Sequence, residues 1–192
     1  MTRVDVIARE LLLDDKHYWR CLGEFWEDRP TLLVFLRHFG SAFAYDQADV
    51  LAESLADLRA ANVTTVMVGI GTPRDAAHFR TSTRTQLPVL VDPALTIYRR
   101  LGLRQASSAS LKPADIAGWV RSEHTRAAFA SREHRRQLGG SLLIDRGGKV
   151  LDEQRANRIG EITRYTDIGR YLQKLATRGT PLGDARHSRV DH

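Results

Sequence analysis

The sequence predicts an α/β fold, a mixed central sheet flanked by helices, on three observations. Leu32-Leu33-Val34-Phe35-Leu36 is a continuous apolar run, too short for a helix and rich in branched and aromatic residues, as in a strand buried on both faces. Past Gly40 the period changes: Phe43, Ala48, Val50, Leu51, Leu55 and Leu58 recur at helical spacing, with Asp46, Asp49, Glu53 and Asp57 opposite them. Further along, two apolar segments flank the turn Arg146-Gly147-Gly148-Lys149 and read as a β-hairpin. Strands alternating with helices and then a terminal hairpin call for both parallel and antiparallel pairing.

The elements follow in order. Val4, Ile7, Ala8, Leu11 and Leu12 form one stripe, which predicts a short amphipathic helix from Val4 to Leu13. Lys16 to Trp26 gathers Tyr18, Trp19, Cys21, Phe25 and Trp26 and reads as a packed cover over one sheet face, with Cys21 buried and unreactive. After the central strand and helix, Ala60-Ala61-Asn62 closes the helix, and Val63 to Ile70 makes a second buried strand. Gly69-x-Gly71 lacks the next glycine of a dinucleotide fingerprint, so it is a strand-to-helix turn. Thr72 fits an N-cap and Pro73 the first turn of the next helix. Leu87 to Asp92 reads as a short strand, and Pro93 to Leu103 as a helix with Leu95, Tyr98 and Leu101 inward. Residues 104–137 carry Ser, Ala, Arg and His around Pro113 and Gly118, with Ile116, Trp119, Val120 and Phe129 as apolar anchors. They predict an excursion of one or two short helices over the sheet edge that shapes a binding mouth. Ile168 to Leu175 supplies a closing helix.

A chain of 192 residues fits a single domain with a sizeable core, drawn here over residues 1–177, with 178–192 a flexible tail too poor in apolar residues to pack. Hydrophobic content of 42% and charged content of 27% are those of an ordinary soluble globular protein. The formal charge of +6 is arginine interleaved with Asp and Glu and joins no nucleic-acid motif, so it reads as solvated surface and predicts no nucleic-acid partner. The apolar run near the N-terminus ends at Asp14-Asp15, which predicts neither a secretory signal nor a membrane span. One cysteine, Cys21, excludes an intrachain disulfide and any multi-cysteine metal site, and favours the cytoplasm. None of the seven histidines forms a His-x-x-x-His or His-Glu-x-x-His pair; no metal and no cofactor is expected.

FLRHFGSAFAYDQA, from Phe35 to Ala48, resembles the active-site segment of the peroxiredoxin-like branch of the alkyl hydroperoxide reductase/thiol-specific antioxidant superfamily, the branch that includes the prostamide/prostaglandin F synthases. Members typically read FLRHFGCxFCREQA there. The blocks around Leu87-Pro88-Val89-Leu90-Val91-Asp92 and Tyr98-Arg99-Arg100-Leu101-Gly102-Leu103, and QLGGSLLIDRGGKVL from Gln137 to Leu151, resemble the same branch, so the likeness spans about Gly23 to Gln154. It implies a thioredoxin-like sandwich, which periodicity alone does not specify. The two cysteine positions of the branch are Ser41 and Ala44 here, and the arginine that follows them is Tyr45.

Those substitutions bear directly on chemistry. A thiol peroxidase needs a thiolate, whose pKa a helix N-terminus lowers into the working range. Serine is not ionised there without a base and does not cycle through sulfenic acid and disulfide. Ser41 can instead cap the helix, its oxygen accepting a backbone N–H for about 1 kcal/mol. Alternatively Ser41, the amides after it, Arg37 and the Gly139-Gly140 turn cradle a carboxylate, phosphate or carbonyl oxygen, in a pocket bordered by Gly40, Phe43, Ala44 and Tyr45. Arg37 and His38 are adjacent on a strand and should face opposite ways. No acidic residue is placed to orient His38 as a base for Ser41, which disfavours a serine hydrolase triad. Three readings stand. One is a redox-inactive binding protein for a small molecule or protein partner. Another is an enzyme using the same pocket for non-redox work on an apolar or carbonyl substrate, for instance in a biosynthetic pathway. The third is a cysteine-substituted form of an antioxidant oxidoreductase. Oligomeric state is not legible from the sequence.

Overall fold

The computed structural model describes residues 4–106 and 132–162. Seven strands form one sheet: β1 (Leu11–Asp14), β2 (Trp19–Cys21), β3 (Thr31–His38), β4 (Thr64–Ile70), β5 (Val89–Val91), β6 (Gly140–Ile144) and β7 (Val150–Arg155), in the spatial order β2-β1-β5-β4-β3-β6-β7. β3, β4 and β5 run parallel, while β1 lies antiparallel to β5 and β6 antiparallel to β3, so the sheet is mixed as expected.

β3 lies inside the sheet between β4 and β6, and every one of its side chains is buried. Leu32, Val34 and Leu36 enter the core beneath α2 (Ala42–Ala60) and α3 (Pro73–Thr83), joining Leu51, Leu58, Met67 and Phe79. Leu33 and Phe35 point to the other face, where α1 (Asp5–Ala8), the 3-10 turn Leu22–Trp26 and α4 (Thr96–Arg100) supply Ile7, Leu22, Trp26, Ile97 and Tyr98. An apolar run buried on both faces is thus the sequence signature of an α/β/α sandwich.

Local chemistry sets the element ends. The Thr72 hydroxyl accepts from the Asp75 N–H (3.2 Å) and the Asp75 carboxylate accepts from the Thr72 N–H (2.8 Å), a capping box with Pro73 at the first helical position. α4 is shorter than the expected helix from Pro93 to Leu103. Leu95 takes a left-handed backbone (φ +57°), and the buried Asp92 carboxylate accepts from the N–H groups of Thr96 (2.9 Å), Ile97 (2.7 Å) and Tyr98, starting the helix there. Burial raises the Asp92 carboxyl above the usual range while these bonds pull it back. Gly69 has a steric cause: a Cβ there would lie 2.4 Å from the Phe39 ring, so the Gly69-x-Gly71 spacing serves packing.

The N-terminal expectation is corrected. Val4 to Leu13 is not one helix; α1 ends at Ala8, and Leu11 to Leu13 join the sheet, pairing with Cys21, Arg20 and Trp19. A stripe at i, i+3 and i+4 suits a single helical turn, whereas β1 alternates, with Leu12 inward and Leu11 outward. The Lys16 to Trp26 cover is also only half realised. Leu22, Phe25 and Trp26 are buried, but Tyr18 (66%) and Trp19 (65%) are exposed on the edge strand. Cys21 is half-buried, its Sγ 3.2 Å from the Ala8 carbonyl oxygen. Residues 107–131 of the expected excursion, the closing helix from Ile168 to Leu175, and the tail 178–192 lie outside the described residues. No helix among the described residues is long and apolar enough to cross a membrane.

Candidate functional site

The site is built where β3 hands the chain to α2. The Ser41 N–H donates to the His38 carbonyl (2.9 Å), Ser41 takes an extended backbone, and the Ala44 N–H donates to its carbonyl (2.9 Å), so the helix starts where the residue spacing placed it. Ser41 occupies the N-cap, yet its hydroxyl accepts no helix N–H, and the expected capping bond is not formed. The residue is 3% exposed. Ala44, in the first turn, is fully buried; Gly40 and Phe43 are half-buried. Tyr45 turns away toward α3: its ring meets Phe79 edge-on at 5.1 Å and its hydroxyl bonds the Ser82 side chain.

Arg37 is 6% exposed. Its Nε donates to the Gln137 carbonyl (3.3 Å) and its Nη2 to the Arg135 carbonyl (2.5 Å), at the C-terminal end of α5 (Arg132–Arg136). Its guanidinium carbon lies 5.3 Å from the centre of the Phe43 ring in the first turn of α2, a cation–π contact. Nη1 is buried with no partner. Burial lowers the guanidinium to about 10, which still leaves it charged at neutral pH. Among the described residues no carboxylate pairs with this cation, although buried charges normally have a counter-ion.

His38 is 5% exposed and its Nε2 also lacks a partner. Burial lowers it to about 4, with further push from the charges of Arg37, His134 and Arg135, so the ring is neutral near pH 7. Strand alternation sets neighbours on opposite faces, but the β3 to β4 register slips between Phe35 and His38. At that slip the Tyr98 hydroxyl reaches the carbonyls of Leu36 and Val68 (2.9 Å to Val68). Sequence periodicity carries no signal for such a bulge.

Gly139 and Gly140 adjoin the site on β6 and at its edge. A Cβ on Gly139 would sit 2.2 Å from the Phe35 carbonyl oxygen, and one on Gly140 2.5 Å from that of Gln154. Close strand approach therefore requires both glycines whatever else they line. Gln137 is the residue the sequence reading missed. Buried to 1% exposure, it donates to the carbonyls of Arg104 (3.0 Å) and Leu138 (3.1 Å), while its backbone bridges Gln105. With Arg99 paired to Glu133 (2.6 Å), it fastens the segment that carries Arg37's acceptors.

Cys21 lies on β2, four strands from β3 in the sheet order. At about 4.8 Å per strand that is roughly 19 Å, too far for it to stand in for either missing sulfur. No group of three or more His, Cys, Asp or Glu among the described residues could hold a metal ion.

Similar proteins agree with this architecture. The chain is 27% identical to peroxiredoxin-like 2C of Bos taurus, covering 67% of this chain but only 61% of that relative, about three fifths of its length. It is 27% identical to prostamide/prostaglandin F synthase of Salmo salar, covering 79% of this chain and 78% of that one. Among solved structures it superposes on peroxidoxin BcpB of Mycobacterium tuberculosis with a TM-score of 0.63 at 18% identity, over 92% and 97% of the two chains. It matches a thiol peroxidase of Chromobacterium violaceum with a TM-score of 0.59 at 15% identity, over 87% and 83%. These structures speak to the thioredoxin-like fold. Residues 50–157 match the AhpC/TSA antioxidant enzyme family, a stretch that begins beyond Ser41 and Ala44 and covers more than half of the 192 residues. With its mixed seven-stranded sheet and helix-flanked core, the chain belongs to the AhpC/TSA antioxidant enzyme family and is a peroxiredoxin-like protein of thioredoxin-like fold.

Proposed function

We propose that this protein has left thiol redox chemistry and uses the start of α2, with Arg37, to bind an anionic or carbonyl oxygen of a small molecule. The observation that carries the reading is Arg37: a charged group, nine-tenths buried beside the first turn of a 19-residue helix, with one nitrogen unpartnered. An unpaired buried donor costs about 1–3 kcal/mol, a cost an oxygen ligand removes. The helix start adds free N–H groups and a positive dipole end, and the two substituted positions carry only a hydroxyl and a methyl. The loss of redox chemistry rests on Ser41 and Ala44, and on the distance of Cys21. A reducing, cytoplasmic setting belongs to the same reading, supported by a lone cysteine that needs no disulfide.

A second reading, a non-redox enzyme in the same pocket, draws on His38. A neutral imidazole with a free Nε2, next to a cation that polarises an oxygen, is suited to moving a proton on a carbonyl substrate. One relative is named prostamide/prostaglandin F synthase, and Ser41 and Ala44 stand here at the two cysteine positions of the branch that this segment resembles.

Peroxide consumption with thioredoxin or a dithiol as reductant is the first test. No turnover above the protein-free rate is expected, and turnover abolished by Cys21→Ser would overturn the redox-inactive reading. Thermal shift against phosphate and short aldehydes is the second. Stabilisation of the wild type that disappears in both Ser41→Leu and Arg37→Gln supports the site; stabilisation that survives both would refute it.

A further inference from the structure

We infer that a second site, separate from the start of α2, binds a short apolar carboxylate in a cavity between α2, β4 and the segment that joins α3 to β5. The cavity holds about 160 Å³. Leu51, Met67, Ala48 and Leu87, all buried, belong to its apolar lining, with Leu55 half-buried beside them. Arg59 and Arg84 also line it and are exposed, and no carboxylate is among the lining residues.

Charge and shape together select the ligand. Neither arginine forms an ion pair with a described residue, whereas Arg20, Arg80, Arg99, Arg100 and Arg155 all do. Arg84 holds a left-handed backbone (φ +54°) at the end of α3, a conformation that side-chain-bearing residues adopt at a cost. Thr85 adds a hydroxyl at the same rim, where it accepts from the Leu87 N–H (3.3 Å) and keeps its own proton to donate. Apolar lining with two free guanidinium groups fits an alkyl chain ending in a carboxylate, the group that arginine engages in bidentate fashion. At about 30 Å³ per water-sized group, the volume takes roughly five methylene-sized groups, so the class is a short-chain rather than a long-chain acid.

The site is distinct from the one at Ser41. Ala48, the α2 lining residue nearest to Ser41, is about 10 Å further along the helix axis at about 1.5 Å per residue, and Arg59 is about 27 Å along it. Different side chains line the two places, so each can be tested with the other intact.

Hexanoate, 1-hexanol and hexylamine are the probes, titrated by calorimetry into the full chain. Hexanoate is expected to bind with a dissociation constant below about 1 mM, at least tenfold tighter than the alcohol. The exposed pair Arg59→Gln and Arg84→Gln together should cost hexanoate at least tenfold and leave 1-hexanol unchanged, while Ser41→Leu changes neither. Met67 gives a local readout, since among the described residues it is the one methionine and it lines the cavity. Its methyl resonance should shift saturably with hexanoate. Equal affinity for acid and alcohol, hexanoate binding untouched by the double variant, a silent Met67 methyl, or no binding at all would each overturn the proposal.

Discussion

His38 should make the fold sensitive to mild acid, and the size of the effect can be worked out. In the folded protein the ring titrates at about 4 instead of 6.5, because burial and the charges of Arg37, His134 and Arg135 oppose its protonation. Those are also the charged groups that bear on it from β3 and α5. Between these two values the unfolded chain binds a proton that the folded protein refuses, so stability is complete above about pH 6.5 and is lost as pH falls toward 4. At about 1.4 kcal/mol per pH unit the full loss is about 3 kcal/mol, and about 2.5 kcal/mol of it falls between pH 7 and pH 4.5. His38→Phe keeps a ring in the core and removes the titration. Urea unfolding of both proteins across that interval should therefore show the wild type losing about 2.5 kcal/mol more than the variant. Parallel pH profiles for the two proteins would refute the reasoning, since they would mean that His38 is protonated with equal ease folded and unfolded.

Gly69→Ala should destabilise by about 1–3 kcal/mol in the same assay, because the new methyl collides with the buried Phe39 ring that Phe79 holds from behind at 5.2 Å. Stability equal to wild type would show that the ring yields freely. Tyr98→Phe keeps the edge-on contact with Phe35 at 5.6 Å but strips the carbonyls of Leu36 and Val68 of their shared donor. A loss of about 1–3 kcal/mol is expected, and a neutral result would mean those carbonyls are satisfied some other way.

Much of the architecture was legible because its causes are local. The period change at Gly40, the Thr72-Pro73 start and the glycine hairpin at Gly147-Gly148 each depend on a few consecutive residues, and each stands where the sequence put it. Leu11 misled because one turn of helix followed by a strand can mimic the spacing of a longer helix. Trp19 misled because hydrophobicity predicts burial only where a partner element covers the residue, and β2 is an edge. In the candidate site, Ser41 at the head of α2 was legible, but its idle hydroxyl was not. The burial of Arg37 was hidden for a different reason: its two carbonyl partners stand about a hundred residues away in sequence, at Arg135 and Gln137. No window of consecutive residues contains that geometry.

The fastening at Gln137 also has a bearing on the buried cation of β3. Gln105 and Gln137 bridge, the Ala106 N–H donates to the Arg136 carbonyl (2.8 Å), and the Leu138 N–H donates to that of Arg104 (3.0 Å), so the chain is stitched shut on both sides of residues 107–131. The entropy of closing a loop grows only with the logarithm of its length, about 0.6 kcal/mol for each doubling. The stitch itself is made entirely by residues 104–106 and 136–138. The same closure sets the place of Arg135 and Gln137, whose carbonyls are the acceptors of Arg37, so that a pairing between residues far apart in sequence holds a buried cation on β3.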